Sequence, residues 1–192
     1  VTDEPFRRLG EALNTAWSHA NFDELAFPTL ASAALERARL DLGFSPSDYL
    51  RALMLRDPGV AQSDGSFGEP PIVPYRGRGF FIEVLYWLDA TTDIHSHGFS
   101  GAFQVLHGAS IHATYTFTPA TRVRSTLRFG EVALTGVEQL RQGDVRSVPG
   151  TGSRCAPESA ATRAERRSGG RHESGSPVEW VIARVGSRMA TG

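Results

Sequence analysis

The chain has 192 residues, of which 40% are hydrophobic, and a formal charge of -1. This is enough for one ordinary globular domain with a real core, and the near-neutral charge gives no basic field for nucleic acid or an anionic membrane. The longest apolar run, FFIEVLYWL, is too short to span a bilayer, and the opening TDEPFRR lacks the apolar stretch of a signal peptide. A soluble cytoplasmic protein is therefore expected.

The single Cys155 excludes an internal disulfide. All the non-histidine cations are Arg, which fits the coding bias of a GC-rich bacterial genome. Nothing in the sequence sets the oligomeric state, and a homodimer is kept open.

The first third, residues 1–60, reads as a helical layer. Phe6, Leu9, Leu13, Ala16 and Trp17 recur at helical spacing, as do Leu30, Ala33, Ala34, Leu35, Ala38 and Leu42 after Pro28. A third helix opens at SPSDYLRALML, where Ser45 caps, Pro46 takes the first turn and Tyr49, Leu50, Leu53 and Met54 form the buried stripe.

Beyond the turn-rich QSDGSFGEPP, the apolar residues come in short bursts. Strands are expected near Ile72–Val73, Phe80–Leu88, Ile94–His97, Phe103–Leu106, Ile111–Phe117, Val123–Phe129, Glu131–Leu134 and Val145–Val148. The class is mainly β, with residues 61–149 forming a sandwich or barrel behind two or three helices.

Residues 150–177 contain no Ile, Leu, Val, Phe, Met, Trp or Tyr. A segment of that composition cannot bury a face, so disorder is expected. VEWVIARV, at 178–185, can add a terminal strand to an exposed edge.

The chemistry concentrates in IHSHGFSGAFQVLHG, residues 94–108. His95 and His97 are two apart in a β-like segment, so both imidazoles project to one face and can meet one ion. Imidazole suits Fe, Zn, Cu, Ni and Mn alike. His112 is a third candidate, because SIHATYTF sets Ile111, Ala113, Tyr115 and Phe117 on one face against His112, Thr114 and Thr116 on the other. It points at a metal if the polar face lines the interior, and is an ordinary strand histidine if that face is solvated.

His107 precedes a turn glycine and reads as exposed. Glu83 interrupts an apolar strand and needs a partner, which would be a metal, an imidazole N–H or a nearby Arg. Gln104 is either a pocket donor or a surface residue. Arg76 or Arg78 could fork onto a substrate carboxylate, with Tyr75 orienting the substrate; a solvated loop is the bland alternative. Trp87 and Phe99 read as core.

HSHGFSGAFQVLHG resembles the first motif of the cupin superfamily, with its His-x-His pair and "VLxG" strand supplied by His95, His97, Val105, Leu106 and Gly108. Where that motif most often carries Glu, this chain has Gly101 or Ala102. YRGRGFFIEVLYWLDATTDIHSH is similar to the cysteine or thiol dioxygenase type of cupin, which holds Fe(II) with histidines alone. The resemblance spans about Tyr75 to Phe117.

It implies a double-stranded β-helix, or jelly-roll barrel, preceded by helices. It also implies one divalent metal, Fe(II) before Zn, Mn or Ni, held by His95 and His97, with His112 the best substitute for a third ligand. Glu83 and Gln104 would lie behind the ligands, and Tyr75 and Arg76 at the substrate. The implied activity is a mononuclear iron dioxygenase acting on a small thiol or carboxylate, and the alternative is a non-catalytic sensor or relic barrel.

LRQGDVRSVPG matches the second cupin motif through Gly143, Asp144, Pro149 and Gly150, but the histidine due a few residues later is missing. Either the third ligand was abandoned, or the reading frame was lost after Gly150.

Overall fold

The computed structural model describes residues 3–55, 71–87, 94, 99–124, 127–149 and 180–188. Three helices precede the sheet: α1 (Glu4–His19), α2 (Phe27–Ala38) and α3 (Pro46–Met54). Each has a proline in its first turn, where the missing N–H costs nothing. The Ser45 hydroxyl accepts from Asp48 N at 3.3 Å, as the third helix's opening motif requires.

α2 ends earlier than its apolar spacing suggests. Arg39 is in the left-handed conformation, and Leu42 lies beyond the helix and is exposed. Met54, expected in the buried stripe of α3, is 85% exposed.

The strands are β1 (Pro71–Arg76), β2 (Phe80–Trp87), β3 (Phe99–Arg124), β4 (Leu127–Arg141), β5 (Val145–Val148) and β6 (Trp180–Arg188). They form one antiparallel sheet in the order β1-β2-β6-β3-β4, with β5 pairing β3. The expected class, mainly β behind an N-terminal helical layer, is what the chain adopts.

Two expectations about strands change. Val123–Phe129 is divided between β3 and β4, whose Arg124 and Leu127 are partners at the end of a long ribbon. The other expected strands between Phe103 and Leu134 merge into that ribbon. β6 does not add to an edge: it runs between β2 and β3, with Glu83↔Arg184 and Phe103↔Arg184 in register. Of the expected strand Ile94–His97 only Ile94 is described, and it is not in a strand; residues 150–177 lie outside the described residues.

The sheet has two unlike faces. On one, Ile72, Phe80, Ile82, Val84, Tyr86, Ala102, Leu106, Ala183 and Val185 meet the helices through Phe6, Leu9, Leu13, Trp17, Phe27 and Leu35. Trp17 is ringed by Phe22, Phe27 and Phe80, and its indole N–H donates to Asp23 O at 2.9 Å. The other face carries a second apolar cluster of Leu85, Trp87, Phe99, Phe103, Val105, Leu140 and Val148.

A bulge sets which face each β3 residue shows. Register with β6 slips between Val105 and His107, and Gly108 has φ +80°. The extra residue reverses parity, so Leu106 faces the helices while His112, six residues on, faces the other way.

Candidate metal centre

His112 lies on the face of the second cluster, 12% exposed, with its ring edge-on to Phe103 at 5.9 Å between centroids. The polar face is therefore only partly covered at this point, with His112, Thr114 and Thr116 all half-buried. The other face of the ribbon carries Ile111, Ala113, Tyr115 and Phe117, so the alternation is the one expected. Their cross-strand partners there, Val132, Leu134 and Val137, are more than half exposed.

The His112 Nδ1 is 3.0 Å from Glu138 Oε1 on β4, directly opposite in register. Arg146 on β5 donates from Nε to both carboxylate oxygens at 3.0 Å and from Nη2 to Oε2 at 2.5 Å. The Arg146 hydrogen bonds, seconded by His112, hold the Glu138 carboxyl down to about 2 against the opposing effect of burial. The sequence reading missed both residues. Glu138 sits 26 positions from His112, and only the β3–β4 register brings them together.

Further along the same face, Glu83 pairs with Arg184, which stands between β2 and β3. Of the three partners considered for Glu83, an Arg is present. The Arg184 guanidinium also lies over the Phe99 ring at 4.7 Å and the Phe81 ring at 5.7 Å. Residues directly opposite on neighbouring strands share a face, so Glu83, Arg184, Phe103 and Arg146 form one row across four strands.

Gln104 belongs elsewhere. Fully buried on the helix face, it donates to Asp41 Oδ1 at 3.0 Å, and Asp41 also takes Arg39. This corrects both sequence alternatives for Gln104, since parity turns it away from His112 and the helices cover it.

Tyr75 is corrected in the same way. It pairs in register with Ile82 on the helix face and packs on Phe80, and a Cβ at Gly10 would sit 2.3 Å from its ring. Burial raises its pKa. Arg76, opposite Phe81, is on the other face and exposed, so Tyr75 and Arg76 do not converge. Arg78 lies over the Phe22 ring at 5.3 Å, beside the helices. His107 is half-buried at the bulge rather than exposed.

Gly101 and Ala102, where the motif that the sequence resembles most often carries Glu, leave no room for a carboxylate. A Cβ at Gly101 would lie 1.9 Å from Val185 O, because β6 passes too close for any side chain. Ala102 is fully buried against the helices. Neither position admits a carboxylate directed at the histidine face.

His95 and His97 lie outside the described residues. Among the described residues, no group of three His, Cys, Asp or Glu side chains is placed to hold a metal, and no helix is long and apolar enough to cross a membrane. The donor chemistry of His112 does suit a metal, since a carboxylate on one ring nitrogen is the usual support of a ligating imidazole.

No protein-family model matches the chain, and no curated protein does. Among solved structures, one similar chain is a hydroquinone 1,2-dioxygenase, PnpCD, in complex with Cd2+ and 4-hydroxybenzonitrile. It is 14% identical, with a TM-score of 0.41, and the match covers 65% of this chain and 68% of that one.

Proposed function

We propose that this chain is a cupin-like metal-binding protein whose ligands are His95, His97 and His112. One observation carries the reading: His112 is on the largely buried face of the sheet, with Glu138 on its Nδ1, and on the same strand whose start, Phe99, follows the His-x-His pair by two residues. The finer reading is a mononuclear iron dioxygenase acting on a small thiol or carboxylate. A bound Fe(II) would supply open coordination positions at which O2 and substrate meet. Arg76 is the candidate for the substrate carboxylate, as an exposed guanidinium on that face.

A second reading, a sensor or relic barrel without catalysis, has its own support. The same face is filled by Leu85, Trp87, Phe99, Phe103 and Val105, and Arg146 and Arg184 on it are already paired with carboxylates.

Metal analysis of protein purified without chelator separates these. The proposal expects about one divalent ion per chain, lost in the His95→Ala/His97→Ala double variant and in His112→Ala, with the β signal in circular dichroism retained. Metal-free wild-type protein that takes up neither Fe(II) nor Zn(II) would overturn it. Metal binding without O2 consumption on any small thiol or carboxylate would favour the sensor.

A further inference from the structure

We infer that Glu138, braced by Arg146, is a positioning residue that fixes His112 in its Nδ1–H tautomer and leaves Nε2 as the ligating nitrogen. The inference rests on the reading of His112 as a ligand. An ionised carboxylate only accepts hydrogen bonds, so a ring nitrogen held at 3.0 Å from Glu138 Oε1 must carry the proton. In a neutral ring the lone pair is then on Nε2.

Arg146 keeps the carboxylate from turning. Its Nε bridges both oxygens and its Nη2 adds a bond to Oε2, so Oε1 stays directed at the imidazole. The three residues come from three strands whose pairing is set by backbone register: His112↔Glu138 in β3–β4, and Phe103↔Arg146 in β3–β5. Phe103 packs against the ring in a T-shaped arrangement, with 5.9 Å between centroids. The ring is thus held in both tautomer and tilt before any metal arrives.

The test uses the full chain labelled with 15N-histidine, observed where the ring is neutral, beside titration with Zn(II) alone. In wild-type protein His112 should show a protonated Nδ1 and an unprotonated Nε2. Glu138→Leu should shift it toward the Nε2–H form and weaken Zn(II) binding by about 10–100-fold. Glu138→Gln keeps an acceptor oxygen and should restore the tautomer and most of the affinity.

Arg146→Met should fall between these two, and it carries the test if Glu138→Leu does not fold. The His95→Ala/His97→Ala variant should lose Zn(II) yet keep the Nδ1–H signature. An Nε2–H ring in wild type, or a folded Glu138→Leu with unchanged tautomer and affinity, would overturn the inference. A wild-type Nδ1–H ring with no Zn(II) uptake would uphold the positioning and overturn the ligand reading instead.

Discussion

Tyr86 and Glu83 are the single residues whose surroundings have the plainest energetic consequences. The Tyr86 side chain is fully buried and its hydroxyl donates to Pro46 O at 3.1 Å, tying β2 to the start of α3. Burial raises its pKa well above the usual phenol value. The unfolded chain therefore ionises first, so the stability held below the unfolded value of about 10 is lost as pH rises beyond it. Tyr86→Phe should cost about 1 kcal/mol at neutral pH and flatten the alkaline limb of the unfolding profile, as urea melts at several pH values will show.

Arg184→Met should be worse, because it removes the arginine paired with the buried Glu83 carboxylate. A loss of about 3–5 kcal/mol is expected, largely recovered in the Glu83→Leu/Arg184→Met double variant, whose aliphatic side chains suit the neighbouring Phe81 and Phe99. A thermodynamic cycle on thermal melts measures both.

At the level of elements, β6 and the Gly101 crossing control the sheet. A chain truncated before Trp180 loses the strand that pairs with both β2 and β3, and opens two rows of backbone groups at once. It should lose its cooperative unfolding transition, whereas trimming an edge strand would only soften it. Gly101→Ala should lower the melting temperature by several degrees, since the obstacle is the Val185 carbonyl rather than a movable side-chain tip. An unchanged melt would mean that β6 can shift away at little cost.

Over the molecule as a whole, burial is lopsided. The helices cover the β1-β2-β6-β3 part of one face, while the ribbon of β3 and β4 carries Val132, Leu134 and Val137 more than half exposed on its apolar side. Leu134→Lys should therefore change stability by no more than about 0.5 kcal/mol. Leu35→Ala, in the fully buried layer between helices and sheet, should cost about 2–5 kcal/mol. Parallel chemical denaturation of the two variants checks the contrast.

Local signals were enough for the helical starts, for the strands expected at Phe80–Leu88, of which Phe80–Trp87 is described, and at Val145–Val148, and for the alternation that sets His112 against Ile111 and Ala113. Each follows from turn chemistry or from a repeat of 3.6 or 2 residues, which a few neighbours establish. Long-range placement was not legible in this way. Tyr75 and Gln104 had the right chemistry for a site but the wrong parity, and parity depends on bulges such as the slip between Val105 and His107. Glu138 and Arg146 looked like ordinary charged strand residues until register brought them to His112. VEWVIARV read as a strand from its own composition. Its place between β2 and β3 came from partners about a hundred and about eighty residues upstream, because backbone hydrogen bonding fixes which strands pair and leaves little mark on a strand's own residues.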